Sequence, residues 1–202
     1  MTQRCIIHRE ISIDTGHRVP DHGSKCRNPH GHRYTIIATC EGPVIEESGN
    51  EENGMVVDFG NLKTYMMDWL DAVFDHGFVV YKGDTAMMNM FFPGEDHDEV
   101  FTKFDAEWKT QQTRYVNLMN SQTLGPASAM NLPRTCVSEQ DPDGMKVIPV
   151  DYIPTAENLA KAMFDLLRQP LAEHFGDDVI KLVNIKLYET PNGSCEYPGT
   201  RY

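Results

Sequence analysis

Residues 26–34 read CRNPHGHRY, with a cysteine, two histidines flanking one glycine, and two arginines in nine positions. In an extended chain alternate side chains point the same way, so His30 and His32 would present both imidazoles to one point, as two ligands of one metal. His17 would supply a third ligand if the strand it ends pairs with theirs. Three neutral histidines leave one tetrahedral position open, the arrangement of catalytic rather than structural zinc. An HxH pair on its own is as readily a chance pair on an exposed strand. Cys26 has three readings: a fourth ligand, a buried inert thiol, or a thiolate acting as base or nucleophile.

Two further places carry chemistry. Asp75-His76-Gly77 offers an imidazole to partner the thiol, with a carboxylate beside it. Adjacent residues seldom form an orienting dyad, so the plainer reading is a helix end and a turn, with His76 placed favourably at the helix dipole. Glu189 ends an apolar row, where a carboxylate is costly unless it meets a donor. A pterin or guanine N–H pair would suit it as a bidentate partner; otherwise the strand has simply left the core. Arg18, Lys25, Arg27 and Arg33 gather around the histidines in an otherwise acidic chain, a rim suited to a polyphosphate or else ordinary surface scatter.

The elements that must position these groups follow from periodicity. Ile7, Ile11 and Ile13 alternate with polar residues and predict a half-buried antiparallel strand ending near His17. HRYTIIATCEG predicts a second, with Tyr34, Ile36 and Ala38 sharing the parity of His32. EESGNEENG reads as a hairpin loop before a short strand at Met55–Val57. Leu62, Met66, Trp69, Leu70 and Val73 predict a helix capped by Asp58. Thr155 caps another helix, with Glu157 in its first turn and an apolar stripe of Leu159, Met163, Leu166 and Leu167; Pro170 kinks or ends it. VIKLVNIKLYET predicts a last strand with Val183, Ile185, Leu187 and Glu189 on one face. Residues 91–145 fit none of this and read as an insertion, in which Phe101, Phe104, Trp108, Tyr115 and Leu118 mark an amphipathic helix before a loop.

At 202 residues the chain suits one domain, 1–202, carrying that insertion at about 91–145. A net charge of −12 disfavours nucleic acid. The absence of a signal-like or membrane-length apolar run predicts a soluble, cytoplasmic protein. Five cysteines without a tight framework fit reduced thiols.

Six blocks in order, GHRV, CRNPHGHRY, GMVVDFGNLK, FDHGFVV, PTAENLA and KLYETPNGSCEY, resemble the 6-pyruvoyl-tetrahydropterin synthase / 6-carboxytetrahydropterin synthase family. The likeness spans roughly residues 5–82 and 146–200. It implies an α+β tunnelling fold: an antiparallel four-stranded sheet with two helices on one face, here with a partly helical inserted segment, assembling through trimers into a homohexamer. It implies Zn2+ on His17, His30 and His32, with Cys26 as proton-abstracting group. Asp75 and His76 would complete the triad from a neighbouring subunit, which removes the objection of adjacency. Glu189 would anchor the pterin, with Thr155 and Glu157 near the substrate. Three residues separate Cys26 from His30, and Cys195 lies in the final block, as in the bacterial queuosine-pathway branch. That branch converts 7,8-dihydroneopterin triphosphate to 6-carboxy-5,6,7,8-tetrahydropterin, acetaldehyde and triphosphate. Elimination of triphosphate to 6-pyruvoyl-tetrahydropterin is the alternative, and a non-catalytic zinc- or pterin-binding module a lesser one. A third reading is a Cys-His-Asp hydrolase, in which Cys26 would form a covalent acyl intermediate and zinc would be dispensable.

Overall fold

The computed structural model describes residues 3–120 and 145–199. Two long strands, β1 (Arg4–His17) and β2 (His30–Pro43), form an antiparallel ladder in which His17 faces His30, Thr15 faces His32 and Ile13 faces Tyr34. Alternation sends Ile11, Ile13, Tyr34, Ile36 and Ala38 into the core and leaves Ser12, Asp14, Arg33 and Thr35 on the other face. One face covered by helices and one left polar is the usual arrangement of an antiparallel pair.

The covering layer begins with α1 (Phe59–Met66), where the Asp58 carboxylate accepts the Gly60 N–H at the N-terminus. The helix then widens into a π turn (Met67–Asp71) and closes with α2 (Ala72–Phe74). Leu62, Met66, Trp69, Leu70 and Phe74 are all buried, so the predicted stripe survives the extra residue in that turn. The second layer helix, α5 (Ala156–Phe175), starts at Thr155, whose hydroxyl accepts the Asn158 N–H. Pro170 does not end it. The helix runs a further turn to Phe175 with the proline buried, its burial offsetting the one lost backbone bond.

The sheet is larger than expected. Instead of four antiparallel strands it has six, in the order β4-β3-β1-β2-β5-β6. The added strands are β3 (Phe78–Tyr81), β4 (Val147–Val150) and β6 (Gly193–Tyr197), with β5 at Lys181–Thr190. β1 pairs with β3, and β3 with β4, in parallel, so the sheet is mixed. β3 and β4 escape a pattern search because they are four residues long and mostly buried without alternation. Pro149 is tolerated in β4 because that strand is an edge.

Two smaller expectations are also corrected. Met55–Val57 is not a strand: Val56 and Val57 are buried in a non-repetitive segment. The preceding acidic loop does close as a hairpin would, through Ile45 N–H to Met55 O and Gly54 N–H to Ile45 O, both 2.8 Å. In β5 the register against β2 shifts between Thr39 and Cys40. A bulge there turns Leu182 into the core and leaves Val183 half-buried, while Ile185 and Leu187 keep the expected face.

Within the segment read as an insertion, α4 (His97–Asn120) follows α3 (Thr85–Phe91). Phe104 and Trp108 of α4 pack against the main core, as their spacing predicts. With β4 and α5, α4 encloses a cavity of about 550 Å³ lined by Phe101, Phe104, Trp108, Val150, Tyr152 and Lys161, among others, and by none of the histidines of β1 and β2. The loop expected after Leu118 falls largely outside the described residues. No described helix is long and apolar enough to cross a membrane. Cys5, Cys26, Cys40 and Cys195 are free thiols.

Candidate functional site

Pairing of β1 with β2 brings His17 to His30 and His32 at one end of the core face. Their ring centroids lie 4.6 Å (17 to 30), 5.4 Å (17 to 32) and 4.9 Å (30 to 32) apart, and one nitrogen from each falls within 4.8 Å of the others. His17 is 1% exposed; burial lowers its pKa and favours the neutral imidazole that a metal requires. Its Nδ1 stands 2.6 Å from the Pro154 carbonyl, which places the proton on Nδ1 and turns the Nε2 lone pair inward. The carbonyl of Asn28 does the same for His30 Nδ1 at 2.7 Å. His32 Nε2 is buried with no hydrogen-bond partner. A buried ring nitrogen left unmatched beside two oriented lone pairs is the donor set that a three-histidine metal site requires. The residues therefore fit a zinc ion.

Glu189 reaches the same point from β5. With Leu187 opposite Ile36, alternation places Glu189 on the core face beside Tyr34. Its Oε1 lies 3.6 Å from His17 Nε2, 3.9 Å from His32 Nε2 and 3.3 Å from the Tyr34 hydroxyl. Glu189 is 30% exposed, so one side of the carboxylate meets protein and the other is open to a ligand. The strand has not left the core at this position. Tyr34, which sequence reasoning treated only as a core residue, completes the group: it is fully buried and its hydroxyl also lies 3.2 Å from His17 Nε2. Burial, and then the Glu189 charge, push its pKa well above the usual phenol range, so it remains a donor. The signal for it was its parity with His32.

β6 brings Cys195 opposite Leu187. Burial, then the charges of Glu157, Glu189 and Glu196, push this thiol up to about 11, which keeps it protonated. Glu157 lies in the first turn of α5. Thr155 is spent on its capping bond, and the backbone next to it, Pro154 O, orients His17.

Cys26 sits half-buried in a 3-10 turn, Lys25–Arg27, that leads into β2. Asp75 and His76 lie elsewhere. They follow α2, where His76 adopts φ 54° and its backbone N–H donates to Asp14 O at 2.7 Å. Asp75 Oδ1 accepts the Asp14 N–H at 2.8 Å, and Oδ2 holds His76 Nδ1 at 2.5 Å. Adjacent residues do form the dyad here: the left-handed backbone at His76 folds its ring back onto the preceding carboxylate. The Lys146 ammonium donates to Ala72 O at 3.0 Å and to Asp75 O at 2.6 Å, fixing this turn from the start of β4. The His76 ring is 79% exposed, and the dyad is tied to the backbone N–H and carbonyl of Asp14. Among the described residues no hydrogen bond joins Cys26 to His76 within one chain.

The expected cationic rim is divided. Arg18 pairs with buried Asp84 at 3.0 Å, and Arg33 grips Asp14 through two bonds of 3.0 and 2.7 Å on the opposite face. Lys25 and Arg27 remain beside Cys26.

The fold is six-stranded α+β, and three histidines and a carboxylate converge at one end of its sheet as a candidate metal site. Residues 6–200 match the family model for 6-pyruvoyl tetrahydropterin synthase, and the chain belongs to that family. It is 29% identical over 184 residues to a Rickettsia bellii protein named 6-carboxy-5,6,7,8-tetrahydropterin synthase, covering 91% of this chain and 93% of that one. A Haemophilus influenzae protein of the same name is 24% identical over 191 residues, 95% and 96% of the two chains. The crystal structure of Plasmodium vivax 6-pyruvoyl tetrahydropterin synthase superposes with a TM-score of 0.54 at 14% identity, covering 96% of each chain, which shows the shared fold.

Proposed function

We propose that this protein is a zinc-dependent 6-carboxy-5,6,7,8-tetrahydropterin synthase, a carbon–carbon lyase of the cytoplasm. It would convert 7,8-dihydroneopterin triphosphate to 6-carboxytetrahydropterin with release of acetaldehyde and triphosphate, in queuosine and 7-deazapurine biosynthesis. The observation that carries this reading is the Glu189 carboxylate 3.6–3.9 Å from two nitrogens of a three-histidine cluster. A pterin edge offers that carboxylate two N–H donors, and its side chain would then extend over the histidines. Relatives bearing the carboxy-tetrahydropterin name, matched over nine-tenths of the chain, support the choice of product.

Zinc on His17, His30 and His32 would supply Lewis acidity beside the side-chain oxygens, making the neighbouring C–H bonds easier to ionise. The remaining work falls to this chain. Glu189 holds the pterin ring, with Glu157 and Thr155 at its border. Cys26 takes a proton from the substrate side chain as its thiolate. Asp75 fixes the proton on His76 Nδ1, so that Nε2 receives and returns protons during tautomerisation and carbon–carbon cleavage. In a trimer-based assembly of the family's kind, a hexamer in the full form, the dyad of one subunit would meet Cys26 of its neighbour. Lys25 and Arg27 face the triphosphate.

Incubation of zinc-loaded protein with 7,8-dihydroneopterin triphosphate, followed by mass identification of products, tests this. 6-Carboxytetrahydropterin with acetaldehyde is expected. 6-Pyruvoyl-tetrahydropterin would replace the product assignment, and zinc binding without turnover would leave a binding module.

A further inference from the structure

We infer that Tyr34 is a positioning residue that couples occupancy of the three-histidine site to the aim of the Glu189 carboxylate; this rests on the reading of Glu189 as the pterin anchor. The phenol has one proton to give and two acceptors within reach, His17 Nε2 at 3.2 Å and Glu189 Oε1 at 3.3 Å. His17 cannot relieve the competition by changing tautomer, since its Nδ1 proton is engaged by Pro154 O at 2.6 Å. The ring itself is fixed: Tyr34 is fully buried, and its edge contacts hold it at 5.9 Å from His17 and 5.6 Å from His32.

The Glu189 oxygen has three polar neighbours: the Tyr34 hydroxyl at 3.3 Å, His17 Nε2 at 3.6 Å and His32 Nε2 at 3.9 Å. A cation held by the three inward nitrogens would occupy the His17 Nε2 lone pair and so take away the phenol's second acceptor. Tyr34 then donates to Glu189 Oε1 alone. That bond fixes one carboxylate oxygen and leaves the other to receive the ring N–H of a pterin. Metal loading thus prepares the ring subsite through one hydroxyl, without any contact between metal and pterin ring.

Unsubstituted pterin isolates the effect, because it has no side chain with which to reach a metal. Its affinity is measured by fluorescence titration on wild type and Tyr34→Phe, each metal-free and zinc-loaded, with zinc content determined separately. Zinc should tighten pterin binding by about fivefold in wild type, the scale of one hydrogen bond. In Tyr34→Phe the zinc effect should fall below about twofold with zinc content unchanged, since the substitution removes only the hydroxyl. Equal tightening in both proteins, no zinc effect in wild type, or loss of zinc from Tyr34→Phe would each overturn the coupling. Glu189→Gln separates this from the parent reading: if pterin binds that variant as well as wild type, Glu189 is not the anchor, and the coupling falls with it.

Discussion

Asp75→Asn is the perturbation that most directly probes the surface dyad. Asp75 accepts two hydrogen bonds through different oxygens, Oδ1 from Asp14 N–H at 2.8 Å and Oδ2 from His76 Nδ1 at 2.5 Å. An asparagine can keep the first bond with its carbonyl, but its NH2 then points at His76 Nδ1. That nitrogen must give up its proton to accept, and the proton moves to Nε2, where the acceptor for substrate is needed. Acid–base assistance of this kind contributes about 10²–10⁴ in rate, so kcat should fall by a factor in that range. Because the backbone anchor survives and the side chain is partly exposed, the stability cost should stay near ~1 kcal/mol. Steady-state kinetics of zinc-loaded protein with dihydroneopterin triphosphate, alongside urea unfolding, measure both. A kcat within twofold of wild type across about pH 6–9 would refute a proton-transfer role for the dyad. A kcat loss matched by gross unfolding would refute the claim that the Asp14 bond persists.

Further outcomes follow from the same geometry. Cys26→Ala should lose turnover while keeping its zinc, read by metal analysis on the purified variant; unchanged turnover would remove the thiol from the reaction. Chelation should abolish activity and zinc restore it, and zinc at about 100-fold over its Kd should stabilise the fold by ~2.7 kcal/mol; the stabilisation should vanish in His32→Ala, as seen by thermal melting. The metal-free protein should be less stable in acid. Burial holds the pKa of folded His17 below the ordinary 6.5, so the unfolded chain binds the proton first, and stability present above pH 6.5 is lost as pH falls below it; urea titrations at pH 7.5 and 5.5 compare the two, and a His17→Gln background should flatten the difference. Lys146→Met removes the bonds to Ala72 O and Asp75 O and should cost ~1.5–3 kcal/mol, lowering kcat further through the mispositioned His76; arginine at 146 should recover part of both.

Much of the candidate metal site is legible in the sequence. The HxH spacing, the parity of Tyr34, Ile36 and Ala38 with His32, and the end of a preceding strand at His17 are local facts, because side-chain direction in a strand alternates with period two. The caps Asp58 and Thr155, and the apolar stripes behind them, were equally local. What the chain alone could not supply was anything set by long-range registry. The β1–β2 ladder decides that His17 meets His30 rather than a neighbour one residue away, and the bulge in β5 decides which of Leu182 and Val183 enters the core. Parallel pairing of four-residue strands β3 and β4 carries no periodic signal, so a six-stranded mixed sheet was read as four antiparallel strands.

The opening motif shows the same division. Residues 26–34 by themselves determine a thiol and two imidazoles close along one turn and strand, because covalent spacing guarantees it. Only the tertiary structure decides that the Pro154 carbonyl, 137 positions from His17, sets its tautomer, that Glu189 and Tyr34 close on the same nitrogen, and that the Asp75–His76 pair hangs from the backbone of Asp14. Those relations depend on which strands lie side by side and in what register, and that is fixed by burial of the whole core rather than by any short stretch of chain.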